Sequence, residues 1–65
     1  MEVYRIEVDG RYLDDIAIST EDSISKAIDG SIDLAEDMLG KPVRGFYFCP
    51  ERNLISLYVG LWSNK

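Results

Sequence analysis

The stretch from Thr20 to Leu39 constrains the fold most, because it reads as a helix with one apolar side. At about 100° per residue, its apolar residues fall within an arc of roughly 160°. These residues are Ile24, Ala27, Ile28, Ile32, Leu34, Ala35, Met38 and Leu39. A helix of this kind must bury its apolar side, so the rest of the chain has to supply a matching surface.

Cap residues mark both ends of this helix. We expect Ser19 or Thr20 as the N-cap, with Glu21 and Asp22 in the first turn, where the helix dipole favours acids. Gly40, followed two residues later by a proline, marks the C-terminal end. The predicted helix therefore covers residues 20–39.

Gly30 interrupts the helical pattern. Glycine in a helix interior costs about 1 kcal/mol relative to alanine. Two arrangements fit: a continuous helix, or a break after Asp29 with Ser31 capping a second helix. The sequence favours the continuous helix.

The N-terminal part predicts a β-hairpin. Residues 2–8 alternate between apolar and polar, Asp9-Gly10 is a strong turn signal, and a second strand follows over residues 11–19. A two-residue loop would place Tyr4 opposite Asp15. We favour a three-residue loop with a bulge at Gly10, because it sets Ile6 beside Tyr12 and gathers the apolar residues on one face. Those residues are Tyr4, Ile6, Ile16 and Ile18. Two aspartates in the second strand, Asp14 and Asp15, are typical of an edge or a bulge.

The C-terminal part predicts a second hairpin. Its strands cover residues 43–49 and 54–62, joined by the turn Pro50-Glu51-Arg52-Asn53. With Cys49 opposite Leu54, the aromatic rings of Phe46 and Phe48 point into the core. The other face of the whole sheet then carries Val3, Arg5, Leu13, Tyr47, Leu54, Tyr58 and Trp62.

Together these segments predict a single α+β domain over residues 1–65, in the order ββαββ, with two hairpins forming one four-stranded sheet on a single helix. In length and order the chain resembles the β-grasp-like domains, such as the immunoglobulin-binding domains of streptococcal surface proteins. The sequence leaves open whether the terminal strands pair in parallel, as in that fold, or the sheet is fully antiparallel.

The composition argues against most catalytic chemistry. The 65 residues include no histidine and one cysteine, Cys49, so we expect no disulfide framework, no thiolate or imidazole metal site and no activated nucleophile. Adjacent carboxylates occur at Asp14 and Asp15, but acid–base work needs a cleft, which one helix on a small sheet does not form. We therefore expect a protein that is not an enzyme and that binds no cofactor or metal.

The same features bear on location. A single cysteine fits a reducing compartment. No basic segment precedes an apolar run at the N-terminus, and no apolar run reaches the ~18 residues that span a membrane. We expect a cytoplasmic protein without a signal peptide.

The polar side of the predicted helix is strongly acidic. We call its members the acidic row: Asp22, Asp29, Asp33, Glu36 and Asp37. Aspartates four residues apart repel one another and are poor helix formers, so stability does not select them. With the chain's net charge of −5, they argue against nucleic acid as a direct partner and favour a basic protein surface. Asp14 and Asp15 extend the same site; the alternative is a solvated polar face.

A second candidate site is the sheet face away from the core. Tyr47, Tyr58 and Trp62 are typical anchors for a protein partner or for a second copy in a homodimer. The alternative is an ordinary sheet face with scattered aromatic residues.

Because of its acidic row, small size and lack of histidine, the chain resembles phage-encoded anti-defence proteins, including anti-CRISPR proteins and other DNA mimics. That resemblance implies an inhibitor that occupies a basic nucleic-acid-binding surface of a host defence or DNA-handling protein. The alternative is an interaction module or homodimer that uses the aromatic sheet face. The sequence leaves the monomer and the homodimer both open.

Overall fold

The protein is a four-stranded sheet packed on one helix, as the sequence predicts. The computed structural model describes residues 2–19 and 21–60. Its elements are β1 (Glu2–Val8), β2 (Arg11–Ile18), α1 (Ile24–Leu39), β3 (Gly45–Cys49), a short 3-10 turn (Pro50–Arg52) and β4 (Leu54–Tyr58). The ββαββ order and the α+β class are therefore confirmed.

The two hairpins meet through a parallel pair of strands. The order across the sheet is β2-β1-β4-β3. Strands β1 and β4 pair in parallel, from Arg5 opposite Leu54 to Val8 opposite Leu57, while both hairpins are antiparallel. The sheet is therefore mixed. Of the two arrangements that the sequence left open, the one with parallel terminal strands is present.

The predicted loop of the first hairpin is wrong. Val8 lies opposite Arg11, so the loop is the two-residue Asp9-Gly10 turn, with both residues at positive φ. The register of the two strands shifts between Ile6 and Glu7 of β1. Ile6 lies opposite Asp14, and Leu13 of β2 is the extra residue of a bulge. Ile6 is therefore not beside Tyr12, as predicted, but the bulge places Tyr4 opposite Ile16 and keeps Tyr4, Ile6, Ile16 and Ile18 on the core face, as predicted.

The bulge also exchanges two side chains between the faces. Tyr12 was expected in the core and is 53% exposed. Leu13 was expected on the opposite face and packs against the core instead. The physical reason is the period of two along a strand, because one extra residue reverses which face the neighbouring side chains occupy.

The second hairpin follows the predicted register. Cys49 lies opposite Leu54, and Phe46 lies opposite Leu57. Its strands are shorter than predicted: β3 begins at Gly45 rather than Val43, and β4 ends at Tyr58. Trp62, at the predicted end of the last strand, lies outside the described residues.

The helix begins four residues later than predicted. Its N-cap is Ser23, and no acidic residue lies in its first turn. The reason is a turn before the helix, in which the Ser19 hydroxyl accepts a hydrogen bond from the Glu21 amide (3.2 Å) and the Ser19 carbonyl accepts one from the Asp22 amide (3.0 Å). At the other end, Gly40 ends the helix in the left-handed conformation (φ 67°), as predicted.

Small residues bring the helix close to the sheet. The fully buried positions of α1 are Ala27, Ser31 and Ala35, and the Ser31 hydroxyl donates a 2.7 Å hydrogen bond to the Ala27 carbonyl. The helix runs without a break through Gly30. A Cβ atom at Gly30 would lie 3.0 Å from Cδ1 of Ile16. Gly30 therefore allows the close approach of β2 to the helix.

The core lies between the helix and the inner faces of the central strands. It consists of Ile6, Val8, Ala27, Ala35, Ile55, Leu57 and Val59. The helix packs mainly on β2, then on β1 and β4, and makes still fewer contacts with β3. Phe46 on β3 is consequently 56% exposed, which corrects its predicted burial, whereas Phe48 packs against the core. Met38, also predicted in the apolar arc, is 53% exposed.

The contact between Gly30 and Ile16 can be tested by a double-mutant cycle. Gly30→Ala alone should change the free energy of unfolding little, because a helix gain of about 1 kcal/mol is offset by displacement of Ile16. In an Ile16→Val background, which lacks the Cδ1 atom, the same substitution should stabilise by about 1 kcal/mol. Urea denaturation measures both values; an equal gain in the two backgrounds contradicts the close contact.

Candidate functional site

Three aspartates form a straight exposed line on the outer side of α1. Asp29, Asp33 and Asp37 are all exposed, and the unbroken helix spaces them about 6 Å apart along its axis. Within residues 2–19 and 21–60, none of the three carboxylates makes an ion pair or a hydrogen bond. We call these residues the aspartate triad. Their negative charge is free to meet a partner.

The other two members of the acidic row are engaged within the protein. Asp22 precedes the helix and forms an ion pair with Lys26 (3.5 Å). Glu36 is half-buried, and its Oε2 atom accepts a 2.9 Å hydrogen bond from the Val43 amide. Glu36 thus fixes the chain between α1 and β3. The predicted row reduces to the triad, with Asp22 and Glu36 beside it.

Asp14 and Asp15 lie on the edge strand β2, next to the bulge. Both are exposed, and Asp14 Oδ1 accepts a 2.8 Å hydrogen bond from the Asp15 amide. Asp15 accepts a 3.2 Å hydrogen bond from the Tyr12 hydroxyl. Loss of hydration, followed by this hydrogen bond, raises the pKa of Tyr12 above its ordinary value. The two aspartates therefore lie on β2 and not on α1 with the triad. They place negative charge at one edge of the sheet.

The sheet face away from α1, which we call the open face, carries the second predicted site. Tyr47 and Tyr58 are 64% and 54% exposed there, as predicted. Leu54 belongs to the same face but is only 8% exposed, because it lies between Arg5 of β1 and Cys49 of β3. The third predicted anchor, Trp62, falls outside the described residues.

Arg5 is also engaged on the open face. Its guanidinium lies 4.9 Å from the centre of the Tyr12 ring and 3.2 Å from the Glu7 carboxylate. Both interactions are within a single hairpin and satisfy the cation locally. The exposed part of this face that remains for a partner is aromatic and lies toward β3.

Charge is divided unevenly along the chain. Residues 2–37 contain eleven acidic and three basic side chains, whereas residues 41–60 contain one acidic and three basic ones. A shallow cleft lies in this second part, lined by Lys41, Pro42, Arg44, Val59 and Gly60. Among the described residues that line it, there is no carboxylate, thiol or hydroxyl side chain. The aspartate triad thus belongs to the acidic part of the sequence.

Metal and nucleophile chemistry find no support in the described part of the chain. Among residues 2–19 and 21–60, no group of three or more potential ligands is placed to hold a metal ion. Cys49 is a free, half-buried cysteine on β3.

Asp9 is a structural residue that the sequence reading missed. Its Oδ1 accepts hydrogen bonds from the amides of Val59 (2.9 Å) and Gly60 (3.1 Å), and its Oδ2 lies 3.0 Å from the Gly60 nitrogen. The Asp9 amide in turn donates to the Leu57 carbonyl (2.9 Å). The first turn is thereby fastened to the end of β4. The signal available in the sequence was the Asp-Gly turn alone, which predicts no partner 50 residues away.

Comparison with known proteins adds no relative. No protein-family model, no curated protein and no solved structure matches this chain. Among the described residues, no helix is long and apolar enough to cross a membrane.

The role of Asp9 predicts a stability effect. Asn tolerates the positive φ of this position but offers one acceptor oxygen and no charge. Asp9→Asn should therefore lower the free energy of unfolding by about 1–2 kcal/mol. Asp14→Asn is the matched control, because among the described residues its exposed carboxylate accepts a hydrogen bond only from the adjacent amide; it should change stability by less than about 0.5 kcal/mol. Equal effects in thermal unfolding contradict the assignment.

Proposed function

We propose that this protein is an inhibitor that binds a basic, nucleic-acid-binding surface of another protein through the aspartate triad. The observation that carries the proposal is the triad itself: three exposed carboxylates in line on an unbroken helix, with no ion pair or hydrogen bond to any described residue. A basic channel that normally holds a phosphate backbone would accept such a line of charge and release its own counterions. The proposed partner is a protein, and nucleic acid is not bound directly.

The choice of residues supports a binding role over a purely structural one. Like charges four residues apart destabilise a helix by a few tenths of a kcal/mol, and aspartate is a weaker helix former than glutamate. The acids that stabilise this fold, Asp9 and Glu36, each accept a backbone hydrogen bond. The triad makes no such contact, so its cost to the helix is not recovered within the described part of the molecule.

The kind of target follows from this chemistry and from the resemblance to anti-defence proteins. A DNA mimic of the anti-CRISPR type would act on a nuclease or another DNA-handling protein that holds nucleic acid in a basic groove. We propose a target of this class in the cytoplasm of a host cell. Asp14, Asp15 and Asp22 would contribute long-range attraction, which speeds association.

The proposal predicts competition with DNA. In a fluorescence anisotropy assay, the wild-type protein should displace labelled duplex DNA from a basic DNA-binding protein of the target class. Displacement should weaken steeply as salt rises from about 50 to 200 mM, because the contact is ionic. Reversal of the triad, Asp29→Lys with Asp33→Lys and Asp37→Lys, should abolish displacement while the fold remains intact by circular dichroism.

A matched control separates position from net charge. Glu2, Glu21 and Glu51 are exposed and lie outside the triad. Their joint replacement by lysine changes the net charge by the same amount and should leave most of the displacement. If both triple variants lose displacement equally, the acidity acts only through net charge. If neither loses it, the triad is not the site.

A second candidate function is an interaction module that acts through the open face. The exposure of Tyr47 and Tyr58 favours it, since Tyr is enriched at protein interfaces and no described element covers these rings. Binding of this kind would depend little on salt and would survive reversal of the triad. Loss of partner binding in a Tyr58→Ser variant, with the triad intact, would identify it.

A further inference from the structure

The two edges of the sheet differ in how they are protected. The edge strand β2 carries a bulge and the adjacent charges of Asp14 and Asp15, features that oppose pairing with another strand. The opposite edge strand, β3, has the sequence Gly-Phe-Tyr-Phe-Cys and contains no charge and no bulge. Edge strands leave every second backbone amide and carbonyl unpaired. β3 is therefore the edge suited to accept a further strand.

The side chains of β3 are exposed on both faces. Phe46 is 56% exposed on the helix side of the sheet, because α1 packs mainly on β2 at the opposite edge. Tyr47 is 64% exposed on the open face. A strand added beside β3 would cover both rings as well as the unpaired backbone groups.

We propose that β3 pairs with β3 of a second copy of this chain, in antiparallel orientation, about a twofold axis through Tyr47. The segment is nearly symmetric about that residue, which suits an interface in which the same patch meets itself. Phe46 of each copy lies opposite Phe48 of the other, and Gly45 of each copy lies opposite Cys49 of the other. Tyr47 lies opposite its own counterpart. Aromatic cross-strand pairs of this kind stabilise sheets.

Other registers fit less well. A shift by one residue would place Phe46 opposite Tyr47, which point to different faces of the sheet. An axis through Phe46 would set Arg44 opposite Phe48, and an axis through Phe48 would set Phe46 opposite Pro50, which has no amide to donate. The axis through Tyr47 alone pairs all five residues of the strand.

Charge supports a second copy as the occupant. In this register Arg44 of one copy lies opposite Pro50 of the other, one residue before Glu51, so opposite charges lie near both ends of the pairing. Most of the acidic side chains lie before residue 38, on elements other than β3. Most of the negative charge of each copy therefore lies on elements other than the shared edge strand.

The dimer would form one continuous eight-stranded sheet with both helices on the same side. Each copy would keep its aspartate triad exposed on the outer side of α1. The inference goes beyond the proposed function and does not depend on it, because it concerns a different surface. A five-residue edge is short, so we expect weak association with a Kd of about 0.1 to 1 mM.

Sedimentation equilibrium tests the inference directly. As the concentration of wild-type protein rises through about 1 mM, the average mass should increase from 7.4 kDa toward twice that value. Tyr47→Lys places two like charges on the twofold axis and should hold the mass at 7.4 kDa. Tyr58→Lys is the matched control, because Tyr58 is on the same face with similar exposure but on the interior strand β4; it should dimerise like wild type.

A cross-linking experiment tests the axis in a second way. With Cys49→Ser to remove the native thiol, Tyr47→Cys should give a disulfide-linked dimer on mild oxidation, well ahead of Tyr58→Cys in the same background. A wild-type mass that stays at 7.4 kDa across the concentration range overturns the inference. Loss of dimer in Tyr58→Lys, or equal cross-linking at the two positions, overturns pairing through β3 and indicates contact across the open face.

Discussion

The close approach of α1 to the sheet is the contact on which the rest of the structure depends. It is made by residues with little or no side chain, Ala27, Gly30, Ser31 and Ala35, and a Cβ atom at Gly30 would lie only 3.0 Å from Cδ1 of Ile16 on β2. Close packing of this kind fixes the rotation of the helix about its axis, because only one side is flat enough to lie against the strands. Once that side is buried, the aspartates must lie on the opposite side. The burial that stabilises the fold therefore also presents the charges.

The parallel pairing of β1 with β4 joins the two halves of this small domain. It brings residues that are about 50 positions apart into one ladder, and long-range pairing of this kind carries a large loop-closure entropy. Asp9 strengthens this connection, because its carboxylate accepts hydrogen bonds from two backbone amides just after β4. Glu36 performs a similar task between the helix and β3. Two of the chain's acids are thus structural, which sets them apart from the aspartate triad.

Much of this fold is predictable from the sequence, because period and turn chemistry act locally. The alternation of β1, the Asp-Gly turn, the glycine after Leu39 and the register of the second hairpin all follow from short-range rules. The errors arise where a distant contact decides. The bulge at Leu13 depends on matching two strands, and the exposure of Phe46 depends on where the helix ends over the sheet. At the candidate site, the hydrogen bond that Glu36 accepts from a backbone amide could not be predicted for the same reason.

One side of α1 packs on the sheet and holds the molecule together, and we propose that the opposite, solvent-exposed side binds the partner. Backbone amide shifts of isotope-labelled protein, titrated with a basic DNA-binding protein whose DNA it displaces, test this most directly. The largest changes should fall between Asp29 and Asp37 and should fade as salt is added. Changes centred on Tyr47 and Tyr58, with the amides of α1 unmoved, would contradict it.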